Sequence, residues 1–143
     1  MRLAACAFAI GALFTVPHYP PAQEWKGEYG SQFAGALSDS VPFSMNLRME
    51  EDRSGRFHGT IEEAQTFGDE TRRHRLVALV EGRFYRDQIL FLKTYSGEGE
   101  VRHGIAYAGY MNLDATRVDT GGWIMQDNWH GWFRMRRVRT SDK

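Results

Sequence analysis

A strict two-residue alternation of apolar and polar side chains limits what this chain can fold into. The clearest case is segment 42–50, where every second residue is apolar: Phe43, Met45, Leu47 and Met49. Successive side chains of a β-strand point to opposite faces of the sheet, so this period predicts a strand with one buried face. Segment 56–62 repeats the pattern, and the charged stretch between the two ends in Gly, which predicts a hairpin.

The same period extends along the chain and predicts strands at 24–33, 41–50, 56–62, 75–83, 88–95, 103–111, 116–124 and 130–138. No segment has a helical period, and the short polar connections make consecutive strands antiparallel neighbours. A flat sheet of this size would leave two open edges and an unburied apolar face, and closure removes both problems. We therefore predict an all-β fold, an antiparallel up-and-down barrel of about eight strands. A seven-stranded β-sandwich is the competing architecture.

Composition narrows the class of protein. A length of 143 residues suits one compact domain. The 18 Lys and Arg residues balance 18 Asp and Glu residues, so no excess positive charge favours nucleic acid or an anionic membrane as a partner. Cys6 is the one cysteine, which excludes an intrachain disulfide and a cysteine-based zinc site.

The first residues resemble an export signal. Arg2 precedes an apolar run, Leu3–Val16, that is too short to span a bilayer but fits the apolar core of a signal peptide. We expect residues 1–22 to be a signal peptide and residues 23–143 to form the barrel. The mature protein is then secreted or periplasmic, with no membrane contact after processing. The alternative is an apolar N-terminal strand or arm that the mature chain retains.

Two terminal motifs carry a family resemblance. Trp25-Lys-Gly-Glu-Tyr29 opens the first strand, and Gly131-Trp-Phe-Arg-Met-Arg-Arg137 closes the last. An early Trp and a late Arg resemble the signature of calycin barrels, the group of lipocalins, fatty-acid-binding proteins and avidins. The resemblance implies that the Arg137 guanidinium packs over the Trp25 indole. Segment 107–123 is similar to an avidin run, but the avidin ligand set matches only at Trp123, so biotin binding is not implied.

The inward parity of the strands defines a candidate ligand site. Its polar and aromatic members are Lys93, Tyr95, Tyr107, Trp123 and Arg137, and its apolar walls include Phe91, Phe133 and Met45. Apolar walls with a few convergent donors are typical of small-molecule pockets. Two inward cations would favour a small hydrophobic or amphipathic molecule with a polar or acidic group.

Other roles for the same residues stay open. Glu63 shares the inward parity and could pair with Lys93 or Arg137, which would neutralise the site. In a barrel packed by its own side chains, Arg137 would cap Trp25, Lys93 would extend to the rim, and the tyrosines would fill space.

Motifs for catalysis, metals and cofactors are missing from the sequence. It has no G-x-S-x-G, no HExxH and no phosphate-binding glycine loop, so we predict no catalytic residues, no metal and no cofactor. An isomerase or cyclase that uses Tyr95, Tyr107 and Glu63 as acid and base is a third hypothesis.

Two segments are apolar on both faces, Leu76–Val80 and Ile89–Leu92. Their outward side chains predict a homodimer through these strands, unless a retained N-terminal arm covers them. The leading functional hypothesis is a small-molecule-binding barrel, and the alternative is a protein-interaction or inhibitor module with a packed core and no ligand.

Overall fold

A computed structural model of the protein describes residues 19–33, 36–37, 40–64, 75–95 and 104–139. Its strands are β1 (Ala22–Phe33), β2 (Ala36–Leu37), β3 (Val41–Met49), β4 (Arg56–Ala64), β5 (Arg75–Tyr85), β6 (Gln88–Tyr95), β7 (Gly104–Met111), β8 (Arg117–Ile124) and β9 (His130–Arg137). One 3-10 turn, Gln126–Asn128, precedes β9. No helix in these ranges is long and apolar enough to cross a membrane. The predicted signal segment, 1–22, lies almost wholly outside the described residues.

Eight strands form a closed antiparallel barrel. The order is β1-β3-β4-β5-β6-β7-β8-β9, and β9 pairs back onto β1 from Trp25 opposite Arg137 to Ser31 opposite Gly131. The two-residue β2 pairs only with the end of β1. The predicted barrel is confirmed, and closure excludes the sandwich. All eight predicted strands are present, and no end differs from its prediction by more than two residues.

Burial follows the alternation that predicted the strands. In β7, residues alternate between exposed and buried from Gly104 to Met111 without exception. In β3, Phe43, Met45 and Leu47 are buried while their neighbours face solvent. Hydrophobic burial on one face fixes the register, because a slip by one residue would expose the whole apolar set.

The turn between β3 and β4 shows how local chemistry sets a connection. The carboxylate of Asp52 accepts hydrogen bonds from the Ser54 backbone N–H and the Arg56 guanidinium. Arg53 and Gly55 have positive φ angles of 57° and 81°, a region that Gly enters without steric cost. The predicted hairpin at this position is confirmed.

The barrel has two chemically different ends. We call one the Trp25 end; it carries the connections at 50–55, 86–87 and 112–116, and Trp25 is fully buried there. The indole N–H of Trp25 donates to Gln23 Oε1 at 3.0 Å. The rings of Tyr19 and Phe57 pack on Phe84 with centroids 4.5 and 4.9 Å away. At the opposite end, which we call the Lys93 end, β4 and β6 end and β5 and β7 begin.

Candidate functional site

Six of the eight predicted site residues are buried inside the barrel. They are Met45, Phe91, Lys93, Tyr107, Trp123 and Phe133. Tyr95 and Arg137 are half-buried at opposite ends of the barrel. The parity argument therefore placed this set on the inner surface, but the structure does not bring all eight residues together.

A buried ion pair lies at the Lys93 end. Lys93 Nζ donates to Glu63 Oε2 at 2.8 Å, and the side chains are 1% and 0% exposed. The Tyr95 hydroxyl donates to the other carboxylate oxygen, Glu63 Oε1. This pairing is one of the alternatives that the sequence left open. The pair has no net charge whichever partner holds the proton, so Lys93 is not a free cation for an acidic ligand.

Three tyrosine rings surround the ammonium group of Lys93. Its Nζ lies 4.8 Å from the ring centroid of Tyr29, 4.6 Å from that of Tyr95 and 5.8 Å from that of Tyr107. These distances are within the range of cation–π attraction, which strengthens where water is excluded. Tyr29 was not among the predicted site residues, although it shares the parity of Trp25 and could have been found by extending the alternation along β1.

Burial controls the protonation equilibria of this cluster. Desolvation lowers the pKa of Lys93, and the Glu63 carboxylate opposes that shift. Desolvation also raises the pKa values of Tyr95 and Tyr107 above the ordinary value of 10.0, and the negative charge of Glu63 adds to both shifts. The two phenols therefore stay protonated at neutral pH and act as hydrogen-bond donors rather than as bases.

Arg137 is separated from the Lys93 cluster. It is the Cα partner of Trp25, whereas the residue of β9 opposite Tyr29 is Phe133, four positions earlier. The two inward cations of the predicted site therefore do not lie together, because β9 carries Arg137 to the Trp25 end of the barrel, away from Lys93. Within the described ranges, no cation–π contact joins Arg137 to Trp25.

The barrel interior is filled by side chains where the structure describes it. Phe91 stacks on Tyr107 with ring centroids 4.6 Å apart, and both rings meet Phe133 edge-on at 5.9 and 5.3 Å. The glycines that face the interior, Gly109 and Gly121, leave no empty space beside them either. A Cβ atom at Gly109 would come within 2.7 Å of Val118 Cγ1, and one at Gly121 would overlap the ring of Phe133. Contacts this short are not tolerated in a packed core.

An apolar groove of about 730 Å³ crosses the outer surface from β5 to β9. Its floor is made of small residues, including Ala106, Ala108 and Gly122, and Leu90 and Leu92 flank the floor with 43% and 46% of their surfaces exposed. Large apolar residues are normally covered, and contiguous apolar patches mark interaction surfaces. The predicted apolar outer face thus extends beyond the two segments that indicated it.

These features define a closed, eight-stranded antiparallel barrel with aromatic rings packed in its described interior, a buried polar cluster at one end and an apolar outer groove. Among the described residues, no group of three or more His, Cys, Asp or Glu side chains is placed to hold a metal ion. Comparison with known proteins found no matching family model, no matching curated protein and no matching solved structure.

Proposed function

We propose that this chain is a protein-interaction module, a barrel with a packed core that pairs with a second copy of itself through the outer face of β5 to β8. The observation that carries this proposal is the symmetry of the apolar groove about one row of residues. A packed interior and an exposed apolar exterior both favour a surface function over an enclosed ligand.

The central row of the groove crosses four neighbouring strands. Gly82, Phe91, Tyr107 and Trp123 are successive cross-strand partners, and their side-chain positions point inward. The residues on either side of this row point outward and line the groove. A two-fold axis that lies in the interface plane and along this row would exchange the two sides of the row. Each outward residue of one copy would then face the residue from the other side of the row in the second copy.

This axis makes the charged rim self-complementary. Glu81 and Arg83 flank the row on β5 and both line the groove. The axis places Glu81 opposite Arg83 of the second copy, and Arg83 opposite Glu81 of the second copy. A closed dimer then has two equivalent ion pairs at its rim, which contribute to orientation and partner choice.

The axis also makes the apolar floor self-complementary. On β6 it places Leu90 opposite Leu92 of the second copy, and on β7 it places Ala106 opposite Ala108 of the second copy. On β8 it places the side chain of Ile124, which is 52% exposed, over the vacant position of Gly122 in the second copy. On β8 a protruding side chain thus meets a glycine, while β6 brings two leucines together and β7 brings two alanines together across the interface.

Size-exclusion chromatography with light scattering on the full chain tests this pairing. The wild type is expected to be a dimer at micromolar concentration. Ala108→Glu, which places a charge on the groove floor, should give a folded monomer. Asn46→Glu adds the same charge at an exposed position of β3 and should leave the dimer intact. A wild-type monomer at about 1 mM contradicts the proposal. At that concentration, a binding free energy of only about 4 kcal/mol would already hold half of the chains in dimers.

A charge exchange tests the orientation of the two copies. Glu81→Arg and Arg83→Glu should each weaken the dimer, since each leaves like charges facing one another. The double variant Glu81→Arg/Arg83→Glu should recover dimerisation, because the exchanged charges again face opposite charges across the axis. If the double variant is weaker than either single variant, the proposed axis is wrong even though the groove is an interface.

A specific observation favours a second candidate function, small-molecule binding at the Lys93 end. The ion pair of Glu63 and Lys93 is fully buried beneath three tyrosine rings, and buried charges are costly to keep for packing alone. Since the pair has no net charge, an apolar molecule with an uncharged polar group fits it better than an acidic one. In native mass spectrometry of protein from its own source, a co-purifying molecule that Tyr107→Phe abolishes would support this function. A uniform ligand-free mass would contradict it.

We infer in addition that the barrel is of the calycin type. The support is the up-and-down strand order and the direct pairing of Trp25 on the first strand with Arg137 on the last. If Arg137 closes this end of the barrel beside Trp25, Arg137→Lys, which keeps the charge but loses the planar guanidinium, should lower the free energy of unfolding. An unchanged urea unfolding midpoint would contradict this assignment.

A further inference from the structure

A row of three cations crosses the outer surface at the Trp25 end, away from the groove. Arg136 on β9 is the direct cross-strand partner of Lys26 on β1 and of Arg117 on β8. All three residues are exposed. Neighbouring strands are about 4.8 Å apart, so the row spans about 10 Å.

Like charges directly opposite each other destabilise a sheet, so such a row needs compensating negative charge. Arg117 pairs with Asp119 at 2.7 Å, and Lys26 approaches Glu24 only at 3.9 Å. Arg136, at the centre, has no carboxylate partner among the described residues. The protein thus leaves the middle cation of the row uncompensated.

The surrounding depression has an excess of positive charge. It has a volume of about 300 Å³, and its lining contains four cations and two carboxylates: Lys26, Arg117, Arg134, Arg136, Glu28 and Asp119. Four minus two leaves a charge of +2 in the lining, and counting Glu24, which lies 3.9 Å from Lys26 outside the lining, still leaves +1, on a chain whose formal net charge is +0. Glu28 is already paired with Arg134, so it does not compensate Arg136.

We propose that this depression binds a tetrahedral oxyanion, the phosphate or sulfate group of a ligand, with Arg136 as its central contact. The planar guanidinium offers parallel N–H donors that match two oxygens of such a group, and the flanking cations would neutralise the remaining charge. The row lies at the Trp25 end of β8, β9 and β1, whereas the groove residues of β8 and β9, Gly122, Ile124 and His130, lie at the Lys93 end. The row therefore stays accessible on both copies of the proposed dimer. The site is independent of that dimer.

Titration of the full-length, ¹⁵N-labelled protein with sodium phosphate, sulfate and acetate at constant ionic strength tests the site. Phosphate or sulfate should give saturable amide shifts centred on β8, β9 and β1, and the anion that saturates first identifies the preferred group. Acetate, which is planar and singly charged, should bind more weakly. Equal shifts with all three anions, or shifts that never saturate, would overturn the proposal.

Arg136→Gln is the test variant, and Arg48→Gln is its matched control. Arg48 is also exposed on an outer strand face, on β3, so the control removes the same charge outside the row. Arg136→Gln should weaken binding by about tenfold or more, as expected for the loss of a charge-assisted, two-point contact. Arg48→Gln should change affinity less than twofold. If both variants lose affinity equally, net charge alone attracts the anion and no site exists.

Discussion

At the scale of single residues, the ion pair of Glu63 and Lys93 has the greatest consequence for stability. Lys93→Met should lower the free energy of unfolding by about 3–5 kcal/mol, because it leaves a carboxylate buried without its cation. The double variant Glu63→Gln/Lys93→Met should be more stable than Lys93→Met alone, since no charge then remains inside the barrel. Urea unfolding followed by tryptophan fluorescence measures both.

The neighbouring Glu62 provides the control for that experiment. It points outward and pairs with Arg75 at 3.1 Å, with 41% of its side chain exposed. Exposed pairs contribute less than about 1 kcal/mol, so Glu62→Gln should change stability little. Equal losses of unfolding free energy from Glu62→Gln and Glu63→Gln would mean that the buried pair contributes no more to stability than the exposed pair.

The buried tyrosines predict a loss of stability at high pH. The pKa values of Tyr95 and Tyr107 are raised above 10.0 in the folded protein, so unfolded chains lose these protons first. The folded state then binds more protons than the unfolded state, and the free energy of unfolding falls as pH rises above 10. Below pH 10 the contribution of these two phenols is fully present.

Absorbance at 295 nm across an alkaline titration checks this expectation. Of the six tyrosines, Tyr95 and Tyr107 should ionise only together with unfolding. Tyr107→Phe should therefore reduce the absorbance change of the unfolding step. A gradual ionisation of all six tyrosines with no unfolding step would contradict the prediction.

At the scale of strands, the alternation of apolar and polar residues predicted the positions of the barrel strands, because it has one physical cause, the burial of one face of each strand. β6 shows the limit of that signal. Parity placed Phe91 and Lys93 inside, but it carries no distances, so it could not distinguish a ligand cavity from rings in contact. Parity alone also left open whether Glu63 pairs with Lys93 or with Arg137. The end of the barrel that each side chain reaches depends on strand direction and register, which parity does not give.

Two adjacent glycines in β8 test the packed interior directly. Gly121 points inward, where a Cβ atom would overlap the ring of Phe133, so Gly121→Ala should destabilise the barrel by about 1–3 kcal/mol. Gly122 points outward, where the nearest atom to a Cβ would be Gly131 O at 3.6 Å. In the monomeric Ala108→Glu background, Gly122→Ala should therefore change the free energy of unfolding by less than about 0.5 kcal/mol. Thermal and urea unfolding of both variants measure the difference, and a neutral Gly121→Ala would indicate a hollow interior.

At the scale of the whole molecule, closure of the barrel is the property that the sequence predicted by elimination rather than by a direct signal. Open sheet edges are unfavourable, and the seven residue pairs between β1 and β9 remove them. The Trp25 and Arg137 motifs mark the two strands that meet, and their direct pairing shows why motifs at opposite ends of a chain can belong to one structural feature. The outward apolar residues indicate self-association, but the two-fold axis that we propose for it has no sequence signal, because that axis depends on the register across four strands.

Closure brings the first and last strands together and so predicts tolerance to circular permutation. Beyond the paired strands, the Val138 N–H still donates to Glu24 O at 2.8 Å. A permuted chain in which Lys143 is joined to Met1, with new ends between Asp52 and Arg53 in an exposed turn, should keep every barrel pairing and fold. The matched control opens the chain between Phe133 and Arg134, inside β9, and should not fold, because it splits the strand that closes the barrel. Near-ultraviolet circular dichroism distinguishes the two, since the packed aromatic rings give a signal only in the native barrel. If both permutants fold equally well, the contact of β1 with β9 is not needed to hold the sheet closed.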